Sequence, residues 1–248
     1  LKTKFENENS DLLSISKVGW IKSISTIACP HNGTILADEV SNHLPFLQNM
    51  TPFFGILEES KINDLYNFDL SQWDLDKFEV ETTKDYLNRL SNSGMKQSKN
   101  FSAWDLSIKG AKEFNDLYTT DNRVYYFSYP TYSTKELDNK THIPDLNMSL
   151  MVWIPSLIIG SSSAISDEWH MNDGIVSTAS MRYPINSNGE SEPHQSFNSK
   201  NIVKGTWQVM DPIHQDHHII IGHRLINLDE ENMKLFYKNI CSTLYRLD

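Results

Sequence analysis

Only two cysteines, Cys29 and Cys241, occur in the 248 residues, and no C-x-x-C pair is present. A disulfide-dense scaffold and a four-thiolate zinc site are therefore excluded. Each cysteine reads as a small buried apolar residue, one in a strand-like run and one on a helix. Clustered positive charge is also missing. The formal net charge is −10 and the acids are spread along the chain, which excludes a nucleic-acid partner whose phosphates would need a basic face. No apolar run reaches the length of a membrane span, and the longest, Leu150 to Gly160, is interrupted by Pro155. Internal repeats and low-complexity linkers are absent. Five N-x-S/T sequons, at Asn32, Asn49, Asn100, Asn139 and Asn147, are close to the number chance gives in a chain so rich in Asn, Ser and Thr. Leu1 rather than Met stands first, so a longer precursor is expected, and no secretory leader is visible in what is present.

What is present suits one large globular domain, with 39% hydrophobic and 11% aromatic residues. Residues 20–29 are β-branched and apolar and read as a buried strand that ends at the turn-rich Pro30-His31-Asn32-Gly33-Thr34. Residues 36–58 are apolar without clean periodicity. The stretch 43–58 reads chiefly as core, and alternatively as a lid or acyl pocket. A charged, aromatic stretch with Tyr66, Phe68, Leu70 and Trp73 follows, then a helix over about 82–90. Asp105 stands as N-cap candidate for a helix over 106–118. Residues 124–129, Val-Tyr-Tyr-Phe-Ser-Tyr, form a second strand stopped by Pro130. Residues 148–160 are a helix or a strand. A third strand is expected over 205–210, and 218–222 is a short apolar segment at the sheet edge. Met233, Phe236, Tyr237, Ile240 and Leu244 recur at helical spacing, so 230–245 is an amphipathic helix. Buried strands alternating with helices predict an α/β fold with a largely parallel sheet.

Two segments have content suited to nucleophilic hydrolysis, which needs a nucleophile, a histidine base and a carboxylate that orients it. Glu168 to Thr178 places the Asp173-Gly174 turn before a β-branched run. Asp216-His217-His218-Ile219-Ile220-Ile221-Gly222 puts a histidine on a turn beside an apolar segment. Taken alone, each is an ordinary feature: Asp-Gly turns are common, and a lone histidine is more often a surface residue than a base.

Five blocks change that weighting. Residues 24–34, 68–73, 103–111, 169–181, and 204–207 together with 216–222 resemble, in order and spacing, the large secreted lipases of staphylococci and thermophilic bacilli. The likeness runs over roughly residues 15 to 248. It implies the C-terminal portion, residues 1–248, of a single α/β-hydrolase domain, with a mostly parallel sheet flanked by helices. It also implies secretion, no organic cofactor, a lipid or other ester substrate and transient contact with lipid interfaces. In such lipases the acid lies in W-x-x-N-D-G-[IV]-V, which here makes Asp173 the acid. The histidine lies in D-H-x-x-x-[IV]-G, which here makes His217 the base, with His214 and His218 off the motif position.

The departures from that pattern are specific. No G-x-S-x-G nucleophile elbow occurs anywhere in the 248 residues, so the serine is expected upstream of them. Such lipases hold calcium with carboxylates two and seven residues after the histidine. Ile219 and Arg224 stand there, and Asn147 could supply only a carbonyl, so calcium binding is expected to be lost. A zinc site found in part of the family would map to Asn100, or less well to Asp105, without its histidine partners. The competing expectation is a non-catalytic remnant or lipid-binding module. A chain without its upstream strands is further expected to associate through the edge of the strand at 20–29.

Overall fold

The computed structural model describes residues 18–42, 75–93, 99, 102–137, 140–222 and 227–247. The segment 43–58, the aromatic stretch around Tyr66 to Trp73, Asn100 and Arg224 lie outside the described residues.

A four-stranded, wholly parallel sheet is the centre of the structure. Its strands are β1 (Ser23–Ile27), β2 (Tyr125–Tyr129), β7 (Trp207–Val209) and β6 (His194–Ser196), side by side in that order. β2 pairs with β1 from Ser23↔Tyr125 to Ile27↔Tyr129, and with β7 from Tyr126↔Trp207 to Ser128↔Val209. All five residues of β2 are buried, as a strand covered on both faces requires. β1 is shorter than the predicted 20–29 because Trp20 closes a 3-10 turn, Val18–Trp20, and stands 73% exposed. Its outer edge pairs with no strand among the described residues. β6 carries only polar residues, so no hydrophobic pattern announced it. Beyond β2 the chain forms β3 (Thr131–Tyr132), paired in parallel with β8 (Ile213–His214), and the antiparallel pair β4 (Thr134–Glu136) and β5 (His142–Pro144).

The helices are α1 (Ile35–Asn42), α2 (Thr83–Asn92), α3 (Ser102–Leu106), α4 (Ile108–Leu117), α5 (Trp153–Ser161), α6 (His217–Ile220) and α7 (Asn227–Tyr245). α7 lays Phe236, Ile240 and Leu244 against Tyr125, Phe127 and Tyr129 on one sheet face, and Met233 against Val176 and Ile220. Val124, Tyr126 and Trp207 pack on the opposite face with Ile21 and Tyr183. The alternation along β2 thus serves both faces. The ambiguous 148–160 segment resolves as a 3-10 turn, Leu150–Val152, followed by α5. Pro155 is third in α5, where a missing N–H breaks no helical bond.

Two expectations are corrected. Asp105 does not cap the helix after it. It sits inside α3, and the side chain of Ser107 caps α4 by accepting from the Gly110 N–H at 3.0 Å. The break falls at Ser107 because the turn after β1 abuts it: the Thr34 N–H donates to the Leu106 carbonyl at 2.8 Å, and a β-carbon on Gly33 would lie 2.5 Å from the Ser107 carbonyl. Cys241 is exposed on α7, whereas Cys29 is partly buried; both are free. The short apolar segment at 218–222 is helical through Ile220, since Asp216 caps it.

His31, at the end of β1, meets Trp207 edge-on at 4.5 Å and shares a 3.0 Å hydrogen bond with Thr26 Oγ1. Burial lowers its pKa to about 4, from the usual 6.5. A histidine depressed in the folded state stabilises fully above the unfolded value of 6.5 and loses that contribution as pH falls toward about 4. Thermal unfolding from pH 7 to 4 is therefore expected to show a steeper acid loss in the native chain than in His31→Gln. The difference should be roughly 2 kcal/mol, allowing for the partly exposed ring. Parallel profiles would show that His31 is not buried as a neutral ring.

Candidate active site

Asp173 and His217, 44 residues apart in sequence, meet at 2.8 Å between carboxylate Oδ2 and Nδ1. Asp173 is wholly buried and the His217 side chain is 25% exposed. A buried carboxylate must be satisfied by donors, and this one is. Oδ1 accepts the N–H groups of Ile175 and Val176 at 3.0 and 2.9 Å, and Oδ2 accepts Thr131 Oγ1–H at 2.7 Å. The two backbone donors come from the tight turn that Gly174 permits. Its φ is +102°, and a β-carbon there would lie 2.6 Å from the Val152 side chain. Asn172 locks the turn from below. Its side-chain oxygen accepts the Gly174 N–H at 2.8 Å while its amide donates to the carbonyls of His170 and Ser156.

His217 opens α6. Its backbone N–H donates to the Asp173 carbonyl at 3.0 Å, a second tie between the same two residues. An ionised carboxylate only accepts, so the imidazole proton sits on Nδ1, and the Nε2 lone pair has no hydrogen-bond partner among the described residues. Burial, the largest single influence, pushes the His217 pKa down. The Asp173 hydrogen bond, the Asp173 charge and the Asp216 charge outweigh it, so the pKa is raised above the usual 6.5. The imidazolium form is thereby stabilised.

His214, a rival by sequence, and His170 are engaged elsewhere. His214 pairs through Nε2 with Asp145 at 2.6 Å and stacks on Tyr132. His170 is buried with both ring nitrogens on the carbonyls of Lys140 and Ser162. Burial raises the Cys29 thiol pKa, the reverse of what activates a nucleophile. A cavity of about 540 Å³ lies against β1 and β2, lined by Ile24, Phe114, Tyr126 and Trp207 among others, and neither Asp173 nor His217 faces it.

The residues around His217 do not fit calcium. Ile219 is a buried aliphatic side chain. Both Asp216 oxygens are occupied by backbone N–H groups and Asp145 is paired with His214. No group of three or more His, Cys, Asp or Glu suited to a metal occurs among the described residues. Asp105 is exposed on α3.

Sequence reasoning missed Thr131 and Asp216 as parts of this arrangement. Thr131 could have been sought, because it follows β2 at the carboxyl end of a parallel strand, where sites gather in α/β sheets.

Residues 2–248 match the family described as "Lipase-like, C-terminal domain". The chain is 29% identical over 242 residues to the lipase of Staphylococcus hyicus, which covers 96% of this chain and 36% of that protein. It is 31% identical over 217 residues to lipase 1 of Staphylococcus aureus strain MRSA252, covering 87% of this chain and 30% of that one. It thus spans about a third of the length of these relatives. Among solved structures, Staphylococcus hyicus lipase superposes with a TM-score of 0.68 at 30% identity, covering 91% of this chain and 57% of that one. EstA from Clostridium botulinum gives 0.70 at 27% identity, with 92% and 55% covered. The expected α/β-hydrolase fold, with its mainly parallel sheet and flanking helices, is the one observed.

A histidine whose folded pKa is raised stabilises fully below its unfolded value and loses that contribution as pH climbs through the folded one. The stability gap between the native chain and Asp173→Asn is accordingly expected to be wider near pH 6 than at alkaline pH. An NMR titration of the His217 ring should show its pKa falling in Asp173→Asn, since the largest raising influences go. An unmoved titration would break the assignment of the pair.

Proposed function

The chain belongs to the family of lipase-like C-terminal domains, and from that premise we propose that it supplies the acid and the base of a carboxylic-ester hydrolase whose serine lies outside these 248 residues. Residues 1–248 are then the C-terminal part of one hydrolase domain. The substrate class is acylglycerols and related lipophilic esters, met at lipid interfaces outside the cell. The observation that carries this reading is the Asp173–His217 pair, with Nε2 uncommitted among the described residues.

In the proposed cycle, His217 Nε2 takes the proton of the serine hydroxyl as its oxygen attacks the acyl carbon. The tetrahedral species collapses, the ester C–O bond breaks, and the same proton passes from Nε2 to the leaving alkoxide. Water then attacks the acyl-serine, giving one proton to Nε2. That proton returns to the serine oxygen as the fatty acid leaves. Asp173 keeps the imidazole in the Nδ1–H tautomer and lowers the energy of its charged form. No step passes through calcium.

A second reading, a non-catalytic lipase-like module, is favoured by the lack of any G-x-S-x-G among the 248 residues. The two separate on the gene. A reading frame that continues upstream into a G-x-S-x-G elbow is expected, and a frame closed without one would favour the module.

The protein encoded by the continuous frame is expected to hydrolyse a short-chain chromogenic ester. Asp173→Asn should cut kcat roughly 10⁴-fold. Because neutral His217 is the working form, activity should rise with pH along a limb above the ordinary histidine value of 6.5.

Thermal stability is expected to be indifferent to millimolar calcium and to a chelator, since among the described residues around His217 both Asp216 and Asp145 are engaged. A melting temperature that climbs several degrees with calcium would reveal other oxygen ligands.

A further inference from the structure

The base stands on very little helix. α6 has four residues, and a single turn has almost no stability of its own, because fixing its backbone costs more than its one or two hydrogen bonds return. Something must hold it. Asp216, directly before His217, is 0% exposed. Its Oδ1 accepts the N–H groups of His218 and Ile219 at 2.9 and 2.8 Å, which caps the turn. Its Oδ2 accepts the Ser149 N–H at 2.6 Å, from a loop 67 residues away. The same two segments meet again four residues before Ser149 and two before Asp216, where His214 pairs with Asp145 at 2.6 Å; Asp145 in turn donates its N–H to the Ser133 carbonyl.

We propose that Asp216 is a positioning residue for His217: its carboxylate bolts the turn bearing the base to the loop at Ser149 and so sets the imidazole on Asp173. The chemistry is specific to a carboxylate. Both oxygens accept, one toward the cap and one toward Ser149. An asparagine has only one acceptor oxygen. If it caps the turn, its NH₂ faces the Ser149 N–H, donor against donor. The cap can survive that substitution but the bolt cannot. The name of base for His217 rests on the proposed hydrolase reading, whereas the bolt rests on distances alone.

The proton on His217 Nδ1, hydrogen-bonded to a buried carboxylate, gives a downfield NMR signal, assigned by its disappearance in His217→Gln. Its rate of exchange with water reports how firmly the imidazole is seated. In Asp216→Asn that exchange is expected to accelerate at least tenfold, or the signal to broaden away, while the Phe127 and Val176 amides keep their protection. A merely structural aspartate would lower the melting temperature and leave the signal as it was in the folded chain, and that result would overturn the proposal. Should Asp216→Asn fail to fold, His214→Gln decides. Its half-exposed side chain can be replaced safely, and it loosens the same pair of segments from outside. Exchange accelerated twofold or more supports the bolt, and unchanged exchange overturns it. The readout is the imidazole–carboxylate bond, so a protein that hydrolyses no ester leaves the positioning role standing, and an unchanged signal leaves the hydrolase reading standing.

Discussion

A wholly buried anion organises this structure. Asp173 has no contact with water, and an ionised carboxylate in that position costs several kcal/mol unless donors surround it. Four donors do so: two backbone amides of its own turn, the Thr131 hydroxyl and the His217 imidazole. They come from three stretches of chain separated by more than forty residues each. Satisfying one carboxylate therefore requires the end of β2, the Asn172–Val176 turn and the start of α6 to converge. Removing any one donor leaves a lone pair in the dark, so the convergence is specified as well as stabilised.

The parallel sheet makes that convergence possible. Thr131 follows the carboxyl end of β2, and His217 follows β7 and β8, so both emerge on the side where parallel strands release their loops. α7 covers the face beneath, placing Met233 against Val176 and Ile220. The hydrophobic contact thus clamps the turn of Asp173 to the helix that His217 opens. Packing and polar satisfaction act on the same few residues, which is why changes in either are expected to appear at the site.

How much of this could be read beforehand depends on where each signal resides. Asp173 and His217 are singled out by the family motifs they occupy; taken alone, the Asp-Gly turn and the histidine beside an apolar segment are ordinary features. The buried strand over 124–129 was legible because aromatic and β-branched residues have one preferred home. The helix break at Ser107 was not. Asp105 and Ser107 are both good caps, and the choice between them is made by Thr34 and Gly33, about seventy residues away. The sequence leaves the conformation of 217–220 open, since three isoleucines in a row carry a β preference that only the Asp216 cap outweighs. β6 has no apolar residue to betray it, and Cys241 lies on the solvent side of a helix whose apolar stripe passes elsewhere.

Asp173 and His217 are seated by contacts among the described residues. Asp173 is held by its own turn and by Thr131, and His217 by Asp173 and by the helix that Asp216 caps. A nucleophile brought to Nε2 would meet an imidazole already in the right tautomer, with its Nδ1 proton committed. Preorganisation of that kind removes reorganisation cost from the reacting step. It also separates two tasks often assigned to a triad as a whole. Proton affinity is set by the carboxylates on this side of the imidazole, and reactivity by whatever approaches from the other. A chain of this design can carry the first task faithfully whether or not the second is ever supplied.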